Sequence, residues 1–211
     1  MQNHVKPLVI LVAGGSASGK STVVGEILNK AGLDDVIIIR HDDYYLDQKD
    51  VPFDARLQVN YDHPDSLDNA LLLSHLKALI KGESIEKPIY DFVNYTRAEK
   101  TENIVPKQVI IVEGILILAD ANIRKLSGLN LYVELDDDTR FIRRMLRDMN
   151  ERGRSIESIV EHYQTTVKPM FYQFVKPSKR HAHVIIPNDH KHDIAVDLIA
   201  SKIKNVLGLN K

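Results

Sequence analysis

A chain of 211 residues suits one domain, or one domain with an inserted lid, and is long enough to bury a full core. With 44% hydrophobic residues, 27% charged residues and a formal net charge of −1, the composition argues against disorder, membrane spans and a global field for nucleic acid, so any phosphate binding is local. The absence of cysteine removes disulfides, thiol catalysis and cysteine-ligated zinc, and points to a reducing, cytoplasmic setting.

The apolar run Leu8 to Ala13 is too short for a signal core and is predicted to be a buried strand. It leads into Gly14-Gly15-Ser16-Ala17-Ser18-Gly19-Lys20-Ser21, followed by Thr22, and a helical pattern from Lys20 to Lys30 that stops at Gly32. A second strand, Val36 to Ile39, runs into Arg40-His41-Asp42-Asp43-Tyr44-Tyr45. A helix is predicted after Ser66, from Leu67 to Lys81, closed by Gly82. Residues 85–107, with Pro88-Ile89-Tyr90-Asp91-Phe92, a polar bend and then Ile104 and Val105, read as a β-hairpin insertion. Val109 to Val112 is a strand ending at Glu113-Gly114, and Leu129 to Leu135 is a more alternating strand candidate. Residues 138–169 form an Arg-rich helical pair broken at Gly153, with Phe141, Met145 and Met149 on one stripe and Arg140, Arg144 and Arg147 beside it, a pattern that suits a lid. The strand Val184 to Ile186 and a helix from Ile194 to Leu207, stopped at Gly208 before a short polar tail, complete a single domain over 1–211.

Continuous apolar strands alternating with helices predict an α/β fold: a three-layer sandwich with a parallel five-stranded sheet buried on both faces. The stretch Gly14 to Ser21 fits G-x-x-x-x-G-K-[ST] between strand and helix, the P-loop context. There glycines let backbone N–H groups converge on phosphate oxygens, Lys20 reaches the β- and γ-phosphates, and Ser21 is placed to ligate Mg²⁺. Ligands in such sheets sit at the carboxyl ends of strands. That rule singles out Asp42 or Asp43 after the second strand and Glu113 after the third as carboxylates that orient an acceptor hydroxyl and help hold Mg²⁺. Strand-end acids also serve as helix caps, and arginines at helical spacing as a solvated face, so the cradle is what tilts both readings towards chemistry. His63 and His75 have no second ligand at metal spacing and are read as structural.

These blocks, with Tyr61-Asp62-His63-Pro64-Asp65, Glu113-Gly114-Ile115-Leu116, Arg147-Asp148 and Glu151-Arg152-Gly153-Arg154, resemble the uridine–cytidine kinases over nearly the whole chain. The resemblance implies transfer of the γ-phosphoryl of ATP to the 5′-hydroxyl of uridine or cytidine, with Asp42 as base and Ser21, Glu113 and Asp42 around Mg²⁺. It implies that Lys20, Arg147 and Arg152 neutralise the triphosphate, that Asp62 and Arg144 hold ribose hydroxyls, and that Tyr90 and Arg154 border the base. Tyr95 stands where the family usually has His, and His162 where it usually has Gln, which puts the choice of base in question. A Tyr95 hydroxyl that accepts from the cytosine amino group while donating elsewhere would favour cytidine. The resemblance also implies a homotetramer and feedback by CTP or UTP. Rival readings are a GTPase switch, for which no Asn-Lys-x-Asp segment is present, a non-catalytic nucleotide-binding module, and a related kinase acting on phosphoribulose or pantothenate.

Overall fold

The computed structural model describes residues 6–32, 36–189 and 192–208, so the short tail after Gly208 lies outside the described residues. The centre of the molecule is a five-stranded parallel sheet in the order β2-β5-β1-β6-β7, built from β1 (Leu8–Gly14), β2 (Ile37–Arg40), β5 (Val109–Glu113), β6 (Leu129–Glu134) and β7 (Val184–Pro187). Its strands are rich in Val and Ile, whose branched side chains pack well on a pleated surface. Alternate residues of β1 feed two separate cores. Val9, Leu11 and Ala13 pack with helix α2 (Asn69–Lys81), whereas Ile10 and Val12 pack with α1 (Lys20–Ala31) and α5 (Asp193–Val206). Burial on both faces is complete for the three inner strands, but β2 and β7 are edges. Ile38 is 44% and Ile185 43% exposed, so the continuous apolar runs there do not mean two covered faces.

Local signals set the helix ends. Helix α1 closes on Gly32 and α2 on Gly82, both left-handed, as expected for glycine stops. Helix α2 starts at Asn69 rather than Leu67 because the Asp68 carboxylate accepts from the Leu71 N–H, while Leu67 is extended and bridges to Tyr45. Strands β3 (Ile85–Asp91) and β4 (Thr96–Ile104) form a separate two-stranded antiparallel ribbon with an irregularity between Pro88 and Tyr90.

The Arg-rich region contains α3 (Asp137–Arg152), ended by a left-handed Gly153, and α4 (Ile156–His162). Helical backbone does not stop at Pro169. It continues to Ser178 through two π turns, Tyr163–Val167 and Phe171–Val175, each just ahead of a Lys-Pro pair. A proline ring crowds the carbonyl four residues back, Thr165 for Pro169 and Gln173 for Pro177, and each of those residues lies within a widened turn. Among the described residues, no helix is long and apolar enough to cross a membrane.

Candidate active site

The loop between β1 and α1 forms the phosphate cradle by alternating backbone handedness: Ala17 and Gly19 both have positive φ, 61° and 87°. A Cβ on Gly19 would lie 2.2 Å from Asn188 Nδ2, so the close approach as well as the φ demands glycine. Asn188, at the carboxyl end of β7, donates to the Ser18 carbonyl at 2.7 Å and so braces the loop from the far side. Lys20 Nζ donates to the carbonyls of Gly14 and Gly15, each at 3.2 Å, which places the ammonium at the mouth of the cradle. Ser21 Oγ lies 2.8 and 2.9 Å from the two carboxylate oxygens of Glu113.

Asp42 is carried by the single helical turn His41–Tyr44 that follows β2. It lines a cavity of about 640 Å³ together with Ser16, Ala17, Gly19, Lys20, Ser21, Thr22, Glu113 and Arg147. Burial raises the Asp42 pKa, opposed by the Lys20 ammonium and reinforced by Glu113, Asp62 and Asp43. Burial likewise lowers the Lys20 pKa, against the pull of Asp42 and Glu113. Asp43, the alternative candidate, is taken by Lys87 from β3, whose Nζ lies 2.6 Å from its Oδ2. The turn is held against β5 by close packing, since a Cβ on Gly114 would fall 2.3 Å from the His41 Cβ. Burial keeps the imidazole of His41 neutral, pulling it down to about 4, and its Nε2 is 2.8 Å from Asn69 Oδ1.

Beside the cradle lies a second cluster. The rings of Tyr45, Tyr61 and Tyr90 pack at 5.1 Å (Tyr45–Tyr61 and Tyr45–Tyr90), and Tyr95 stacks on Tyr61 at 5.6 Å. The Tyr95 hydroxyl accepts from Arg154 Nη2 at 3.4 Å, and Tyr95 itself sits in the left-handed region at φ 53°. Asp62 is buried, and its charge faces both Asp42 and Arg144. Arg144 joins the clusters: its Nη1 donates to Ser16 Oγ of the cradle at 2.9 Å, and its Nη2 lies 3.4 Å from His162 Nδ1. Burial and the Arg144 charge both lower the His162 pKa.

Helix α3 turns its charged side inward. Arg140, Arg144 and Asp148 are its buried residues, while Ile142, Leu146 and Met149 are exposed, so Arg140 and Arg144 are not part of a solvated face. The Arg140 guanidinium lies over the Phe171 ring at 3.9 Å and pairs with Asp137 at 2.6 Å. Asp148, 1% exposed, gathers Arg144, Arg147 and Arg152 at 3.5, 2.9 and 3.4 Å. Arg152 reaches Asp148 but is absent from the cavity wall.

Sequence reasoning passed over Arg40, Phe92, Arg143 and Glu151, which line the cavity, and Asn188. Asn188 was findable, because it ends a strand on the ligand-binding edge of the sheet. Arg143 carried no signal beyond its charge.

The arrangement can cradle a triphosphate, hold a hydroxyl near a half-buried carboxylate and enclose an aromatic ring beside them. Its residues also fit Mg²⁺. A hydroxyl and a carboxylate lie within 3 Å of each other beside Asp42, and Mg²⁺ is ordinarily held by one or two carboxylates plus substrate phosphates rather than by an all-protein cage. Among the described residues, no group of three or more His, Asp or Glu side chains is poised for a metal.

The Phosphoribulokinase / Uridine kinase family matches residues 9–195. A uridine kinase of Clostridium novyi is 47% identical over 207 residues, covering 98% of this chain and 100% of the relative. One from Clostridium botulinum strain Kyoto is 49% identical over 202 residues, covering 96% and 98%. In fold, the chain is similar to phosphoribulokinase from Rhodobacter spheroides, with a TM-score of 0.66 at 15% identity over 86% of this chain and 70% of that one.

Proposed function

For a chain that belongs to the Phosphoribulokinase / Uridine kinase family, we propose ATP-dependent phosphorylation of the 5′-hydroxyl of a pyrimidine ribonucleoside, uridine or cytidine. The observation that carries this reading is Asp42: a half-buried carboxylate sharing one cavity with the P-loop, next to an aromatic and arginine cluster. In this reading Asp42 takes the proton of the acceptor hydroxyl, since it is the strand-end carboxylate that lines the cavity beside Lys20. Lys20 and the N-terminus of α1 receive the phosphates, and Arg147, reaching in from α3, neutralises charge as it spreads over the transferring group. Arg152, paired with the same Asp148 as Arg147, adds its charge beside it. Ser21 and Glu113 would hold Mg²⁺, which, when bound, supplies further charge neutralisation. Asp62 and Arg144 take the ribose hydroxyls, and Tyr90, Tyr95, Arg154 and His162 border the base.

The bond between Arg154 and the Tyr95 hydroxyl bears on base choice. A phenol can accept from the cytosine 4-amino group or donate to the uracil 4-carbonyl, and the bond from Arg154 takes up a lone pair rather than the O–H, so both pyrimidines are acceptors in this reading. We assign the protein to the cytoplasm, where ATP and reduced thiols prevail, and give it a homotetrameric state with CTP or UTP feedback as further parts of the same proposal.

The test is ADP release from ATP and Mg²⁺ with uridine, cytidine, purine nucleosides, pantothenate or ribulose 5-phosphate offered singly. Release that depends on a pyrimidine nucleoside supports the reading. Release with ribulose 5-phosphate or pantothenate alone replaces it with a related small-metabolite kinase.

A further inference from the structure

We propose that Lys87 is a positioning residue: from the β3–β4 ribbon it holds Asp43, and through it the turn that presents Asp42 to the cavity. The role rests on the reading of Asp42 as the carboxylate that engages the acceptor.

Lys87 is 5% exposed, unusual for a lysine, whose burial sacrifices hydration and rotamer freedom unless a partner compensates. Its Nζ makes two ion pairs, 2.6 Å to Asp43 and 3.2 Å to Glu102, and also donates to the Pro88 carbonyl at 3.3 Å. Glu102 is its cross-strand neighbour and its side chain is 55% exposed. Asp43, at 16%, is the desolvated partner, so the contact between ribbon and turn is the one that counts.

The neighbouring contacts show what that contact achieves. From β4, Arg97 donates through Nε to the Tyr45 carbonyl at 2.9 Å and through Nη2 to Asp68 at 3.2 Å. Each strand of the ribbon therefore sends one cation to the same segment, Lys87 to Asp43 and Arg97 to the backbone just beyond it. Arg97 docks the ribbon on the last residue of the turn and the chain beyond it, through the Tyr44 and Tyr45 carbonyls and Asp68, whereas Lys87 grips the residue directly following Asp42. With Asp43 occupied, Asp42 is the member of the pair that faces the cavity. The irregularity between Pro88 and Tyr90 re-aims the strand, so that β3 gives Lys87 to the turn and Tyr90 to the ring cluster. Acceptor site and acceptor-engaging carboxylate are thus one mechanical unit.

The experiment compares K87M, K87R, D43N and K87M/D43N with the wild type, using whichever acceptor the wild type phosphorylates best. A displacement of about 1 Å at a reacting group costs on the order of 100-fold in rate. We expect K87M and D43N each to lower kcat by ~10- to 100-fold and to raise the acceptor KM while leaving the ATP KM unchanged. K87R, which keeps the cation, recovers most of kcat. The double variant is no worse than either single one, because the two residues act as a pair. A K87M enzyme with wild-type kcat and acceptor KM overturns the proposal, as does a loss that appears equally in both KM values and is not rescued by K87R. If K87M does not fold, D43N, which changes little in shape, carries the same comparison. A wild type that ignores pyrimidine nucleosides but uses another acceptor defeats the substrate assignment alone, and the latch is then judged with that acceptor.

Discussion

Replacing Asp148 by Asn tests how the arginine cluster is held. The carboxylate is 1% exposed and receives Arg147 through Nε and Nη2 at 3.0 and 2.9 Å, Arg152 at 3.4 Å and Arg144 at 3.5 Å. Without its charge, Arg147 and Arg152, whose side chains are 32% and 45% exposed, can turn to water. Arg144, at 8%, cannot. Leaving a buried ion without its partner costs about 3–5 kcal/mol. Asp62 still faces Arg144 and offsets part of this, which puts the expected loss at the lower end, about 3 kcal/mol. For a chain of this size, that lowers Tm by roughly 6–12 °C. Urea unfolding and thermal melts of wild type, D148N and R144M/D148N make the comparison, and the double variant should recover part of the loss because it removes the orphaned cation. A D148N loss below about 1 kcal/mol would show that the arginines are solvated and that the carboxylate is not their anchor.

Three further substitutions probe the cradle and the turn. Asp42→Asn should leave the fold and ATP affinity intact and lower kcat by about 10²- to 10⁴-fold, measured by steady-state turnover. Gly114→Ala places a methyl group 2.3 Å from the His41 Cβ, and should cost about 1–3 kcal/mol in denaturant unfolding while also lowering kcat through the displaced turn. Asn188→Ala removes the 2.7 Å bond to the Ser18 carbonyl and should raise the ATP KM at nearly constant acceptor KM, with about 1–3 kcal/mol lost in stability.

The strands, the cradle and the glycine stops were legible because each is fixed by a local cause: β-branched runs, a left-handed backbone, a missing side chain. The rule that strand ends carry the chemistry led to Asp42 and Glu113. It could not separate Asp42 from Asp43: in the fold Asp43 pairs with Lys87, 44 positions away in sequence, while Asp42 lines the cavity. Nor could periodicity reveal that α3 buries its charges. Arginines at helical spacing look solvated until the fold brings Ser16, His162 and Asp62 to meet Arg144. Exposure of Ile38 and Ile185 depends on strand order, which no single strand encodes. Helix continuation past Pro169 was hidden because a proline normally marks an end, and here π turns absorb it.

The most direct measurement of the central claim is identification of the product by phosphorus NMR after incubating the protein with ATP, Mg²⁺ and equimolar uridine and cytidine. The expected product is a pyrimidine nucleoside 5′-monophosphate. ATP left unconsumed, or consumed without any pyrimidine monophosphate, would contradict it.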